Sequence, residues 1–557
     1  MRRITKTERR LRRLILHGTL VAGSFLFSVP FIWLVSTSCK VPDEMYPPRW
    51  IPQVPARVIK SPYIELRENE RPLGPTRVKS TDWERLRDPI AQAITVKVAS
   101  MSASFPGFYQ PYLTEPALAD GILNRLLKRV PEEIFEKTEI LATAWFAQNV
   151  TESLVREVFE TVYRRVSVSE VVFHGWDVSV EYPTADGNFP WQVVSGDVTL
   201  VDRKEGLLRP AKEVHYSFEN QHRFALTITL PIQMNPANLK KIVVTNYADR
   251  SWHELWATVE LNGKRYQSVQ AAYLGSDRSQ DITWQFASED DKSIMMKTWL
   301  RLDEAGASDF NQPGRVKLTL DCHRASGAMP TMNKYANNYK TVWRMVPLLA
   351  YVKNSLLLVV LNVLGQILGS SLVAYSFARL QWPARDFCFL LVLATLMIPP
   401  QVTMIPVFLI YKYIGWYNTL RPLWVSSLFG SAFYIFLLRQ FMKGIPKDLE
   451  DSAKIDGCGY IGIFTRIIFP LVKPAVATIG IFTFMGTWND FMGPLIYLND
   501  QRLYPLSLGL FALQVFQGSN FGLMMAASVL MTLPVIILFF AAQRQFIQGI
   551  TLTGIKG

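Results

Sequence analysis

Charge and glycine crowd into one short stretch near the end of the chain, "KDLEDSAKIDGCGYIGIFTRIIFP", Lys447–Pro470. It holds Asp448, Glu450, Asp451, Lys454, Asp456 and Arg466, with Gly457, Gly459 and Gly462 among them, and apolar runs of membrane-crossing length lie on both sides. Elsewhere the residue types that do chemistry are scattered. Four cysteines (Cys39, Cys322, Cys388, Cys458) show no Cys-x-x-Cys spacing, so they make neither a disulfide framework nor a metal site. Six histidines show no His-Glu-x-x-His or paired spacing, so no metal ligand and no catalytic residue is assigned. The elements around the charged stretch decide what it does.

At 557 residues the chain exceeds one ordinary domain. Its composition, 49% hydrophobic and 19% charged, is too apolar for a typical soluble protein and too polar for one wholly in the membrane. The formal charge of +13 raises nucleic acid as a partner, but much of the excess flanks apolar spans. Arg2, Arg3, Lys6, Arg9, Arg10, Arg12 and Arg13 all precede the first span, and basic clusters beside spans mark the cytoplasmic side. No nucleic-acid partner is therefore expected.

A bilayer core takes about 20 apolar residues as helix. Leu14–Val35, Asn354–Phe377, Phe387–Tyr411, Leu423–Leu438, Val472–Leu498 and Phe521–Phe540 meet that pattern. Six crossings from a basic, inside N-terminus return the C-terminus inside. The same count puts Arg379 and Arg385, and the loop with Arg439, Lys443, Lys447, Lys454 and Arg466, on the cytoplasmic side. The long gap after the first span then lies outside. A cleaved signal peptide is disfavoured because no Ala-x-Ala-like site follows the first span. A lipoprotein signal ending "STSC" at Cys39 is disfavoured by Ser36, where such signals usually have Leu.

The gap, 53–337, reads as a soluble insert: an irregular Pro-rich start, helices within 80–166 and a β region at 168–325. Pro131–Ala147 and Thr151–Val166 have helical periodicity. Short β-rich runs follow, among them "RFALTITL", "KIVVTNY" and "RVKLTLDC". "LNGK", Leu261–Lys264, is a hairpin signal, since Asn-Gly suits a type I′ turn. Many short strands at this spacing predict a β-sandwich of jelly-roll type. Trp176, Trp191, Trp252, Trp256, Trp284 and Trp299 are core candidates first. The hypothesis that the insert binds a glycan or docks a soluble partner rests on its outside location and aromatic content.

Within the charged stretch, Pro446 suits a first helical turn, and Lys447–Ile455 reads as a short helix with its acids early, where negative charge suits the dipole. Asp456-Gly457 is a turn signal, and Tyr460–Ile468 reads as a second short helix. Small Ala453 and Gly457 would let a partner's backbone approach. An ordinary linker would have no reason for the spacing that follows. The stretch resembles the EAA loop of ABC-transporter importer permeases: Glu-Ala-Ala, three residues, Gly, nine residues, Ile, one residue, Leu-Pro. Asp451, Ser452, Ala453, Gly457, Ile467, Phe469 and Pro470 occupy those places. The substitutions are Asp for Glu, Ser for Ala and Phe for Leu. "PFIWLVSTSCKVPDEMYPPRWIP", "NNYKTVW", "KNSLLLVV", "AYSFARLQWPAR", "MIPPQVTMIPVFLIY", "GTWNDFMGPLIYL" and the ending "QRQFIQGITLTGIKG" are similar to the second permease subunit of maltose-type sugar importers. The likeness covers 1–52 and about 338–557 and omits the insert.

The resemblance implies a fold and a division of labour. The fold is an α-helical polytopic permease of six transmembrane helices, interrupted by the extracytoplasmic, mainly β insert. The chain would do no chemistry and hold no cofactor; ATP and Mg would be bound by a partner ATPase dimer. A second permease subunit, an extracytoplasmic solute-binding protein and the lipid bilayer complete the partners, in a bacterial inner membrane. The EAA-type loop, 446–470, would seat in the ATPase through Glu450, Asp451, Ser452, Ala453, Asp456, Gly457, Phe464, Ile467 and Pro470. Its two helices would act as a rigid lever if the Gly457 corner packs tightly. Gly549, Thr551, Gly554, Lys556 and Gly557 resemble the tail that inserts along the ATPase interface. Asn362, Gln366, Gln401, Trp488, Asn489 and Asp490 are pathway-lining candidates, because polar groups in spans are costly and tend to be functional; inter-helix hydrogen bonding is their alternative use. Pro399, Pro400 and Pro406 are expected to break or kink the third span. Rival readings are a membrane-anchored glycan-binding receptor, a permease for a non-sugar solute such as glycerol phosphate, and a channel or secondary transporter. One anchor would suffice for the first, and the last leaves the loop without a job.

Overall fold

In the structure, a computed structural model, residues 6–45, 49–66, 72, 80–135, 138–176, 178–183, 190–203, 211–276, 278–288, 297–517 and 520–551 are described. The chain divides into two compact units. One holds Gln53–Glu289 and Thr298–Lys334; the other holds Met1–Pro52, Asp290–Lys297 and Tyr335–Gly557.

Helix α1 runs Lys6–Ser38. Four helices then open the first unit: α2 (Ser80–Ser100), α3 (Pro116–Leu127), α4 (Glu139–Gln148) and α5 (Glu152–Val162). Helix α4 starts eight residues later than Pro131, because a short 3-10 turn, Glu132–Ile134, precedes it. Thr151 caps α5 by accepting from the Leu154 N–H at 3.3 Å, as threonine does at helix starts. Ile90, Ile94, Leu118, Ile122, Phe146, Val155 and Phe159 form one core between these helices.

The strands are β1 (Lys60–Ser61), β2 (Tyr63–Ile64), β3 (Tyr163–Arg164), β4 (Val166–His174), β5 (Ser179–Pro183) and β6 (Gln192–Ser195). Then come β7 (Asp197–Arg203), β8 (Ala211–Ser217), β9 (Arg223–Pro231), β10 (Lys241–Tyr247) and β11 (Glu254–Leu261). The last are β12 (Lys264–Ser268), β13 (Ala272–Tyr273), β14 (Gln280–Phe286), β15 (Leu300–Ala307) and β16 (Arg315–His323). Each β-rich run read in the sequence contains a strand. Asn262 and Gly263 have φ of 50° and 73°, both in the left-handed region that a type I′ turn between β11 and β12 requires. Pairing forms one continuous ladder, β1-β8-β4-β10-β14-β15-β12-β11-β16-β9-β6. The short parallel pair β14–β15 joins its two halves. Tyr216 on β8 stacks on Phe224 of β9 at 5.1 Å, so the halves face each other over a shared core with Phe173, Val244, Val259, Trp284 and Leu318.

Helix α6 (Met329–Met345) leads into the second unit's bundle. It continues with α7 (Leu348–Arg379), α8 (Arg385–Ala394), α9 (Pro400–Tyr413) and α10 (Ala432–Lys443). The charged stretch gives α11 (Asp448–Ile455), α12 (Tyr460–Ile463) and α13 (Phe469–Leu471). The chain continues through α14 (Lys473–Asn489), α15 (Met492–Tyr497), α16 (Leu506–Gln517) and α17 (Phe521–Thr551). Among the described residues four helices are long and apolar enough to cross a membrane, or up to six if each of two bent pairs is one span. The third span read in the sequence bends by 101° between Met397 and Pro400; the residue before a proline avoids the helical region, and Ile398 is extended.

Two spans differ from the sequence reading. The fourth opens as 3-10 turns, Arg421–Leu423 and Val425–Phe429, before α10 begins. Gly430 has φ of +73°, and this irregular backbone lies hard against α7. A Cβ on Gly369 would stand 2.3 Å from the Leu428 carbonyl oxygen. Such backbone is tolerated at membrane depth only where protein buries it. The fifth does not run to Leu498: α14 ends at Asn489, where Asp490 turns extended. Apolar α16, Leu506–Gln517, has no counterpart among the six runs read in the sequence. At the other end of the bundle, Asn338 Nδ2 donates to the carbonyls of Ser38 (2.8 Å) and Lys40 (2.9 Å). Ser38 Oγ and Tyr339 OH are 2.6 Å apart. The helical unit thus closes on itself across the insert.

Candidate functional site

The charged stretch folds as two helical arms about a glycine corner. Asp448, Glu450 and Asp451 occupy the first turn of α11. The helix stops at Gly457, whose φ of +80° suits glycine. The Cys458 N–H donates to the Ala453 carbonyl at 2.9 Å and the Gly457 N–H to the Lys454 carbonyl at 3.0 Å, the bond pair of a Schellman ending. The second arm is less regular than a plain helix: α12 passes into a π-turn at Phe464–Ile468 before α13.

The arms have an inner and an outer side. Glu450, Ala453 and Phe464 are buried. Ile467 is half-buried, while Asp451, Ser452, Asp456, Gly457 and Pro470 are exposed. Ala453 packs into the bundle's own core, in one cluster with Ala374, Leu438 and Met442. The Gly457 corner is not tightly packed, since a Cβ there would meet nothing within 4 Å; backbone conformation and the Schellman bonds hold it. Ser452 Oγ donates to the Asp448 carbonyl at 2.8 Å, and Asp451 pairs with Lys454 at 2.9 Å. Flanking the corner, Ile455 is 87% exposed, Ile461 80% and Tyr460 65%. Large apolar side chains grouped on a charged surface mark an interaction site.

The sequence did not reveal what fixes the arms to the bundle. Arg379, at the end of α7, is buried with Glu450, its Nε 2.9 Å from Glu450 Oε1. Its Nη2 donates to the carbonyls of Met442 and of Ile445, the latter at 2.7 Å. Tyr375, one turn earlier, donates its OH to the Tyr460 carbonyl at 3.2 Å. The i, i+4 spacing of "YSFAR" was the available signal, because such residues share a helix face.

The pathway candidates separate by environment. Asn362 is buried and donates to the carbonyls of Leu358 (2.9 Å) and Leu423 (3.0 Å). Trp488 is 1% exposed, and its Nε1 donates to the Met531 carbonyl at 3.3 Å. These two face neighbouring helices rather than open space. Gln366 is half-buried and accepts from Ser370 Oγ at 3.4 Å. Asp490 accepts from the Gly493 N–H at 3.1 Å, capping α15. Gln401 and Asn489 are exposed, with Asn489 Nδ2 bonded to the Met485 carbonyl at 2.9 Å. Gly549 and Thr551 lie on the last turns of α17; Gly554, Lys556 and Gly557 lie outside the described residues. In the insert, Trp191, Trp252, Trp284 and Trp299 are buried, and Trp176 is exposed with Lys240 over its ring.

A bent-helix bundle with an exposed loop wired to its core is the build of a multi-pass membrane transport subunit. Residues 363–552 match the family described as binding-protein-dependent transport system inner membrane component. An arabinooligosaccharide transport system permease protein of Halalkalibacterium halodurans is 37% identical over 204 residues, 37% of this chain and 73% of that one. Its Bacillus subtilis counterpart is 37% identical over 211 residues, 37% of this chain and 72% of that protein. A melibiose, raffinose and stachyose import permease protein of Bacillus subtilis is 30% identical over 223 residues, 40% of this chain and 81% of that one. The chain therefore belongs to this family of permease subunits of binding-protein-dependent ABC transporters.

Proposed function

We propose that the chain is one of the transmembrane subunits of an ATP-driven importer, and that it helps move a sugar or oligosaccharide released by an extracytoplasmic binding protein. The single observation behind the energy source is the corner at Gly457. Three large apolar side chains stand exposed on a segment braced from inside by buried ion pairing. That suits a soluble partner that pushes on it, and a partner ATPase dimer holding ATP and Mg fits. The sugar rests on the names of the relatives above. In this reading six spans place both termini and the loop 446–470 in the cytoplasm and the insert outside a bacterial inner membrane. Gly549, Thr551, Gly554, Lys556 and Gly557 contact the ATPase, a second permease subunit completes the pathway, and Gln401 and Asn489 are the foremost pathway-lining residues. The insert docks the binding protein or holds a glycan.

The test is uptake of labelled oligosaccharides by vesicles containing the whole transporter. Gly457→Asp, strained at φ +80°, is expected to abolish uptake while ATP hydrolysis continues. Normal uptake by that variant would sink the lever role of the loop.

A further inference from the structure

We propose that Tyr375 and Arg379 form a two-point clamp that makes α7 the element through which movement of the loop enters the membrane bundle. The inference rests on the coupling reading of the loop. The two residues are one turn apart on α7, and each takes a different arm. Arg379 holds the first arm through Glu450; their side chains are 4% and 8% exposed. The same guanidinium donates to the Met442 and Ile445 carbonyls, where α10 ends and the chain turns into the loop. Tyr375 holds the second arm, through its bond to the Tyr460 carbonyl and a ring contact with Phe464 at 5.1 Å. Between the arms lies the Gly457 corner, held by its own Schellman bonds; the clamp adds a polar tie from each arm to one helix.

The loop is also joined covalently to the bundle, to α10 at its start and through α13 to α14 at its end. The Arg379 guanidinium binds the α10 end to α7 as well. The second junction is bent by 76° between Leu471 and Lys473, a poor place to transmit a push. Helix α7 is unbroken over 32 residues, about 48 Å at 1.5 Å per residue. It is also fastened along its length. Asn362 donates to Leu423, Gly365 and Gly369 lie against Ser427 and Leu428, and Ser355 Oγ accepts from the Leu506 N–H at 2.8 Å. A shift of α7 therefore reaches both the irregular start of the fourth span and α16. Tyr375 and Arg379 are positioning residues, since they touch neither solute nor nucleotide.

The experiment uses the complete transporter in proteoliposomes. Solute moved per ATP hydrolysed is measured beside the amount of ATPase that co-purifies. Arg379→Gln is expected to keep the ATPase bound and to lower solute per ATP about tenfold, within the range usual for coupling between sites. Tyr375→Phe is expected to lower it less, and Arg379→Glu with Glu450→Arg to regain part of the loss. Unchanged solute per ATP in Arg379→Gln overturns the proposal; so does loss of ATPase in proportion to uptake, which would make Arg379 a docking residue. Melting of the chain alone in detergent keeps the two readings apart. Arg379→Gln and Glu450→Gln should together shift Tm by less than the sum of the single shifts, and additive shifts overturn the contact. Sub-additive melting with no ATP-dependent uptake by the wild type would instead overturn the importer reading and leave the clamp only an anchor.

Discussion

The helical bundle and the β insert differ in what many of their buried polar side chains meet. In the bundle the buried donors reach backbone carbonyls: Asn362 to Leu423, Trp488 to Met531, Arg379 to Ile445, Asn338 to Ser38. Each acceptor lies where a helix ends, breaks or turns irregular, or on the helix packed opposite. A membrane span that breaks frees carbonyls, and lipid offers them no donor. In the insert the ladder already satisfies most of the backbone, and the members of one group of buried polar side chains meet one another. Glu213 is 2% exposed; it accepts from Tyr163 OH and lies 3.2 Å from Arg203 Nη1 and 2.9 Å from His215 Nε2. Arg203 also reaches Glu160 on α5 at 2.5 Å and stacks over Phe108 at 4.6 Å. That network ties the helical part of the insert to its sheet. The buried Arg379–Glu450 pair is the bundle's counterpart to that network, while donation to the carbonyls of broken helices belongs to the bundle.

If that contrast holds, the greatest loss comes from breaking the insert's network. Arg203→Met removes the guanidinium shared by Glu160 and Glu213 and leaves Glu160 only Arg165, at 3.4 Å, and Glu213 only His215 and Tyr163. Breaking a buried pair from one side should cost up to about 3–5 kcal/mol. Hydrogen exchange of the full chain should show β7, β8 and α5 opening together while the bundle stays protected. Opening of all regions alike would show the two are not energetically separate. Next, Gly369→Ala puts a methyl 2.3 Å from a backbone oxygen, where overpacking should cost about 1–3 kcal/mol; detergent melting of the chain measures it. A comparable or smaller loss, about 1–3 kcal/mol for a stranded buried acceptor, is expected for Asn362→Leu. If Asn362 lines the pathway instead, uptake will fall and Tm will hold.

The smallest effect is one of pH, and it belongs to the insert alone. Burial pushes His253 below the ordinary histidine value, with Asp249 opposing and Arg324 assisting. Its Nδ1 accepts from the Ala325 N–H at 3.1 Å, so the neutral ring is the native form. The depressed folded value means stability is intact above the unfolded pKa, about 6.5, and declines as pH falls below it. Strands β8, β9 and β11 should exchange faster in that window, and His253→Gln should flatten the dependence. A wild-type exchange rate with no trend below pH 6.5 would contradict the neutral burial of the ring.

What the sequence made legible follows the same division. The insert's strands announced themselves by alternation and by Asn262-Gly263, because each is a local pattern. The loop was legible through spacing, since its corner needs glycine at Gly457. Hydropathy found the apolar runs but could not see their breaks: Gly430, Asp490 and the 3-10 turns lie inside them, and a window averages over them. Nor could it see Arg379 meeting Glu450, a contact across 71 positions of chain. Trp191, Trp252, Trp284 and Trp299 are buried, as core candidates should be.

The two seams have a consequence for chain closure. Ser38 and Lys40 are bonded to Asn338 and Tyr339, and within the insert Lys334 Nζ donates to the Gln53 carbonyl at 2.5 Å. Each unit therefore seals its own seam where the chain crosses over. Lengthening a closed loop costs little once its ends are held, roughly 0.6 kcal/mol per doubling. A seam held in this way lets the segment between its two sides lengthen or shorten at small closure cost to the helices that hold it.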